Sequence, residues 1–286
     1  MITGRTRVLG VVGHPVEHTS SPAMHNAAIQ ALGLDYVYVA FHVRPEGLGQ
    51  ALAGMRGLEL HGLNVTVPHK LAVMEWLDEI SEEACTIGAV NTVVRHEGRL
   101  TGHNTDAYGA LAALRQDGGL DRLPARVALL GAGGAARAIL YGLLGRPEVE
   151  EVLLLNRTVD RAEQLANDLD PQAAKVRVGR LGPDSGGRVR EAGLLVNATS
   201  VGMHPREDES PLADPGCLRP GMVVLDIVYN PLRTRLLAQA EAAGARAVPG
   251  LGMLAHQGAR SFALWTGVEP PVAVMLEAAL ARLARG

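Results

Sequence analysis

Residues Gly131-Ala132-Gly133-Gly134-Ala135-Ala136 follow an apolar run, Val127-Ala-Leu-Leu, and precede an apolar-rich stretch of helical spacing that ends at Leu144. Strand, glycine turn and helix in that order leave few folds open. The first glycine of such a tract lets the strand turn sharply. The second lets backbone approach a pyrophosphate, and the small Ala136 lets the helix lie close on its sheet. Amides of the first helical turn then face the phosphates. A G-x-G-x-x-A tract in this setting predicts a doubly wound α/β unit that binds a dinucleotide.

The next apolar run, Leu153-Leu-Leu, bears on which dinucleotide. A binder of NAD usually ends this strand in Asp or Glu, to hold the ribose hydroxyls. This chain has Asn156-Arg157-Thr158 there, and Arg161 four residues beyond Arg157, one turn along the same helix face. A carboxylate would repel a 2′-phosphate, whereas a guanidinium binds one through parallel charge-assisted hydrogen bonds. Two cations near a helix N-terminus also oppose the helix dipole and call for an anion. The pattern predicts NADP.

Strand-like and helix-like runs alternate along the rest of the chain, which predicts parallel sheets covered by helices. The first third reads as a strand over Arg7–Gly13 and a helix from Ser21-Pro22, with Ser21 as its cap. A strand over Tyr36–Val43, a helix over Pro45–Gly57 and a strand over Leu63–Val67 follow. Lys70–Ile80 has helical spacing. Ala89–Arg95 and Arg99–His103 read as a hairpin. Asp106 begins another helix, where it can cap. Later, residues 182–187 read as a loop, and two helices close the chain.

At 286 residues the chain is about twice the ~150 of a common domain. Two domains are expected: residues 1–107, completed by 250–286, and residues 108–249. Lys plus Arg number 27 against 30 Asp plus Glu, which leaves no basic footprint for nucleic acid or for a membrane surface. The most apolar long window, Val127–Leu144, is glycine-rich and contains Arg137, a poor membrane span. Two distant cysteines, Cys85 and Cys217, make neither a disulfide framework nor a zinc spacing and fit a cytoplasmic protein. The choice between monomer and homodimer stays open, since no exposed apolar stripe stands out.

The first third holds polar residues that a plain core would not need. His18-Thr19-Ser20-Ser21-Pro22 offers hydroxyls at a helix start. Asn64-Val-Thr66-Val-Pro68-His69-Lys70 ends a strand with Asn64 and Thr66 on one face. Gly88-Ala-Val-Asn91-Thr92 and Asn104-Thr105-Asp106 bracket the hairpin. The strings GHPVEHTSSPAMHN, NVTVPHK, GAVNT, NTDAYG, GAGGAARA, NRT, NATSVGM, DIVYNPLRT and GLGMLAHQG occur in the order seen in shikimate dehydrogenases, and the chain resembles that family from about Gly10 to Gly267.

The resemblance implies an NADPH-dependent reduction of 3-dehydroshikimate to shikimate, on the chorismate route to aromatic amino acids. It implies an α/β substrate domain, a Rossmann-like NADP domain and last helices that return to the first domain. The family's catalytic lysine and its aspartate partner match Lys70 and Asp106. Thr19 and Ser21 match the hydroxyls that grip the substrate carboxylate, and Tyr229 a tyrosine near it. Thr66, Asn91 and Gln257 match residues on the ring hydroxyls. Gly131, Ala132, Gly133, Gly134 and Ala135 match the diphosphate loop. Asn156, Arg157, Thr158 and Arg161 match the adenosine-phosphate site. Ile227, Gly250 and Met253 match positions near the nicotinamide. Thr19 stands where the family commonly has serine, which loosens the exclusion of quinate. His69 replaces a common phenylalanine and receives no role.

The chemistry fits the residue types. Reducing a ketone needs a hydride on carbon and a proton on oxygen. A lysine ammonium polarises the carbonyl and donates the proton, and the neutral amine is the base in the reverse direction. A broader quinate/shikimate dehydrogenase is the near alternative. A non-catalytic NADP sensor on the same fold is a more distant one, because a sensor needs neither Lys70 nor Asp106. No metal is expected: His14, His18 and His25 do not share a helix face.

Overall fold

The computed structural model describes residues 2–285. The chain divides into two compact units, Met1–Thr105 with Ala255–Gly286, and Asp106–Leu254.

The first unit opens with β1 (Arg7–Gly13), α1 (Ser21–Ala31), β2 (Tyr36–His42), α2 (Leu48–Gly57) and β3 (Gly62–Val65). It continues through β4 (Glu79–Ile80), α3 (Glu82–Ile87), β5 (Thr92–His96) and β6 (Arg99–His103). The sheet order is β2-β1-β3-β5-β6-β4. The sheet is mixed, with the expected hairpin forming its antiparallel part. β5 runs antiparallel to β6, because a short turn can only join antiparallel strands, and it is also antiparallel to β3.

Leu48, Leu52 and Met55 of α2 seal one cluster over Leu63, Val65 and Val93. Met24, Ala28 and Ile29 of α1 are buried as well.

Two local expectations fail here. Lys70–Ile80 is not one helix: a 3-10 turn spans Ala72–Trp76 and a short strand takes Glu79–Ile80. Asp78 causes the break. Its carboxylate accepts from Arg56 Nη1 at 2.7 Å and from Leu100 N at 2.7 Å, which draws the segment to the edge of β6. Ser21 is not the cap of α1 either. The helix starts at Ser21, with Ser20 in the cap position and no capping side chain, because the Ser21 hydroxyl pairs with Thr19 instead.

The second unit comprises α4 (Asp106–Gln116), β7 (Arg126–Leu130), α5 (Gly134–Leu144), β8 (Glu151–Asn156), α6 (Val159–Leu169) and β9 (Val176–Arg180). Then come α7 (Gly186–Arg190), β10 (Leu194–Asn197), β11 (Val223–Asp226), α8 (Arg235–Ala242), β12 (Arg246–Pro249) and the start of α9 (Gly250–Thr266). All pairings in its sheet are parallel, in the order β12-β11-β10-β7-β8-β9. That is the doubly wound arrangement, with its topological switch between β7 and β10.

Strand alternation divides the core. Val127 and Leu129 face α4, α5 and α6, and Ala128 and Leu130 face α7 and α8, as the period of two requires. Residues 182–187, expected as a loop, instead hold a 3-10 turn over Pro183–Ser185 and the start of α7.

The rest of α9 and all of α10 (Val272–Leu283) belong to the first unit, where α10 packs on α1. Trp265 of α9 donates Nε1–H to Val93 O at 3.0 Å and accepts at its carbonyl from His61 Nε2 at 2.8 Å. Among the described residues no helix is long and apolar enough to cross a membrane.

Candidate active site

In the first unit, β1 leads to the loop that carries Thr19. The Thr19 hydroxyl donates to Ser21 Oγ at 3.1 Å and accepts from Ser21 N at 3.2 Å. The two hydroxyls therefore stand side by side at the start of α1. Thr66 leaves the end of β3, held by its amide to Val12 O at 3.0 Å. The chain then turns, with His69 N donating to Thr66 O at 2.9 Å, and reaches Lys70.

His69 is buried and its Nε2 bonds Val43 O at 2.7 Å. Its imidazole fastens the loop immediately before Lys70, a role that sequence alone did not suggest. On the other side, Lys70 O accepts from Val90 N at 2.8 Å, one residue before Asn91.

Asn91 lies at the centre of a buried polar network. Its Nδ2 donates to Thr105 Oγ1 at 2.9 Å and to Gln257 Oε1 at 3.2 Å. Thr105 N and Thr92 Oγ1 donate to its Oδ1, each at 2.9 Å. Ser261 Oγ sits 2.7 Å from Thr92 Oγ1 and accepts from Asn64 Nδ2 at 3.0 Å. The Tyr38 hydroxyl closes the chain by donating to Asn64 Oδ1 at 2.7 Å. The fold thus gathers Asn91 and Gln257, from segments far apart in the chain, at the end of the hairpin. Tyr38, Asn64, Thr92 and Ser261, which the motifs did not assign, support them. Such hydroxyl and amide positions match the needs of a small polyol.

His25 is buried on Tyr38, with ring centroids 4.2 Å apart, and burial lowers its pKa to about 3. It is a neutral core ring. Among the described residues no group of three or more His, Cys, Asp or Glu side chains has the arrangement of a metal site.

In the second unit, Asp106 is the first residue of α4 and is buried. Gly131 follows β7 with φ at +109°, and a Cβ there would meet Ala198 O at 2.9 Å. Only glycine fits that turn. At Gly133 the opposite holds: a Cβ would meet nothing within 4 Å. No side chain caps the N-terminus of α5 that follows. An open face with uncapped amides beside Ala132, Gly134 and Ala135 is what a pyrophosphate needs, so the residues present fit a dinucleotide.

At the end of β8, Asn156 Nδ2 donates to Thr158 O at 2.8 Å. Arg157, Thr158 and Arg161 are exposed there. Ile227 packs against the core over β11, as does Met253. The Cα of Gly250 lies so close to the Ile227 carbonyl that a Cβ would clash at 2.4 Å. These three positions therefore cluster.

Tyr229 is half-buried in the loop after β11. Asp226, which opens the string DIVYNPLRT but was given no role, organises that loop. Its Oδ1 accepts from Asn197 Nδ2 at 2.9 Å and Val228 N at 3.1 Å, and its Oδ2 accepts from Thr234 Oγ1 at 2.7 Å. Burial raises its pKa to about 6, and these hydrogen bonds offset part of the rise.

Comparison with known proteins follows the same division. Residues 11–93 match the shikimate dehydrogenase substrate-binding domain, residues 115–203 the shikimate/quinate 5-dehydrogenase domain, and residues 250–280 the shikimate 5′-dehydrogenase C-terminal domain. The NADP(+) shikimate dehydrogenase of Methanopyrus kandleri is 51% identical over 284 residues, covering 99% of this chain and 98% of that one. A crystal structure of a shikimate dehydrogenase in complex with NADP+ superposes with a TM-score of 0.92 at 43% identity, covering 99% of this chain and 98% of that one. The Thermus thermophilus enzyme in complex with NADP(H) and shikimate superposes with a TM-score of 0.85 at 42% identity, covering 96% of this chain and 99% of that one. On full-length identity, matching domains and shared fold, the chain belongs to the shikimate dehydrogenase family.

Proposed function

We propose that this chain catalyses the reversible reduction of 3-dehydroshikimate to shikimate with NADPH, in the cytoplasm, as a step toward chorismate and the aromatic amino acids. The observation that carries this reading is the meeting of Asn91 and Gln257 at 3.2 Å, in the same unit as Lys70 and the Thr19–Ser21 hydroxyl pair. Amides and hydroxyls so placed suit a ring bearing several hydroxyls and one carboxylate. Thr19 and Ser21 grip the carboxylate, with Tyr229 beside it, and Thr66, Asn91 and Gln257 hold the hydroxyls.

Gly131 to Ala135 hold the diphosphate, while Asn156, Arg157, Thr158 and Arg161 hold the adenosine phosphate. Ile227, Gly250 and Met253 line the nicotinamide position. When bound, NADPH supplies the hydride. The ammonium of Lys70 polarises the ketone and donates its proton to the oxygen, leaving a neutral amine that regains a proton from water. Asp106 is its partner carboxylate. In the oxidative direction the amine takes the hydroxyl proton. Both cysteines are free thiols, consistent with a reducing compartment.

Initial rates with shikimate or quinate, each with NADP or NAD, test the reading. The expected result is efficient turnover of shikimate with NADP, and much lower kcat/KM when either compound is exchanged. No oxidation of shikimate, or equal rates with quinate, overturns it.

A further inference from the structure

One more cation stands at the adenosine end of the second unit, outside the N-R-T motif. β9 is the edge strand, and its last residue, Arg180, lies directly opposite Asn156 in the parallel register with β8. Leu181 N donates to Asn156 O at 3.1 Å, which fixes that register at the strand ends. Adjacent strands run ~4.8 Å apart.

Alternation gives the face. Leu154 on β8, and Val176 and Val178 on β9, pack with Ala162, Leu165 and Ala166 of α6. Asn156 and Arg180 are each two residues further along, on that same α6 side. Gly179 takes the other face, against Leu155.

Arg180 therefore shares the C-terminal sheet edge with Asn156 and Arg157, beside the helix that carries Arg161. All three arginines are exposed. Among the described residues none of them has an acidic or hydrogen-bonding partner, not even Asp160 in the first turn of α6. Some other arginines of this unit are engaged, Arg137 with Asp168 at 2.8 Å and Arg126 with Glu191 at 2.9 Å. Three guanidiniums without a carboxylate partner, two beside the N-terminus of α6 and one at the neighbouring strand end, repel one another, and an anion of high charge relieves this.

We propose that Arg180 is a specificity-determining residue, a third guanidinium that reads the 2′-phosphate of NADP. The inference rests on the coenzyme reading given above. Binding of adenosine 2′,5′-bisphosphate and of 5′-AMP, measured by calorimetry on the intact chain, tests it without a turnover assay. In Arg180→Ala the affinity for the bisphosphate falls about three- to thirtyfold, the range for losing one partly exposed charge-assisted contact. Affinity for 5′-AMP stays unchanged. Arg180→Glu loses more, and both losses shrink as salt is raised. In turnover, KM for NADP rises while KM for NAD does not.

A parallel fall for both nucleotides, or no fall for either, overturns the role of Arg180 and leaves the coenzyme reading intact. A parent chain that binds the two nucleotides equally overturns both.

Discussion

Asn91 and Thr105 hold each other by two reciprocal bonds: Asn91 Nδ2 donates to Thr105 Oγ1 at 2.9 Å, and Thr105 N donates to Asn91 Oδ1 at 2.9 Å. The residue that follows is Asp106. One side chain thus orients the Gln257 amide and fixes the backbone from which Asp106 departs.

Asn91→Ala removes that clamp. The Thr105 amide is left buried without its acceptor, a cost of roughly 1–3 kcal/mol. Chemical denaturation should register the loss of stability, and the KM for shikimate should rise because Gln257 loses a donor. An Asn91→Ala chain of unchanged stability and unchanged KM contradicts the network.

The two glycines of the nucleotide loop should behave oppositely. Gly131→Ala places a Cβ at φ +109° against Ala198 O, which stores strain of about 1–3 kcal/mol. Its thermal midpoint should drop. Gly133 has an ordinary φ of −90° and free space before it. Gly133→Ala should therefore fold like the parent, yet raise the KM for NADP roughly tenfold, the worth of about 1.4 kcal/mol of lost approach. Melting curves and coenzyme titrations separate the two. A Gly133→Ala chain with normal NADP affinity removes the phosphate assignment.

Two buried groups give the stability opposite pH slopes. His25 takes up its proton near pH 3 when folded but near 6.5 when unfolded. The unfolded chain gains protons first, so this term erodes stability as pH falls from about 6.5 toward 3. Asp226 is protonated up to about pH 6 when folded, against 3.8 unfolded. Its term erodes stability as pH rises from 3.8 through about 6, where the buried carboxylate must ionise. Urea unfolding across pH 4 to 8 reads both. The stability of His25→Phe relative to the parent should improve as pH falls, and that of Asp226→Asn should improve as pH rises. Curves parallel to the parent in both variants contradict the two assignments.

The nucleotide half was legible because its signals are local. A glycine tract, a preceding apolar run and a basic strand end need only a few neighbouring residues to be read. Hydrophobic runs gave the parallel strands, and the hairpin showed in its turn. Residues whose roles depend on long-range partners were not legible. Asn64 meets Ser261 across the whole first unit, His69 finds Val43 O, and Asp226 gathers Asn197 and Thr234. No spacing rule connects such pairs. The break in Lys70–Ile80 came from the same source, since Asp78 bonds to Arg56 and Leu100 outside its own segment.

The Lys70 amine is the group proposed to move the proton of the reaction. Lys70→Ala measures this directly, with NADP affinity and shikimate-dependent NADPH formation followed in the same preparation. Coenzyme binding should stay close to that of the parent and turnover should fall roughly a hundredfold to ten-thousandfold, the usual worth of a positioned acid–base group. Turnover within a few-fold of the parent contradicts it.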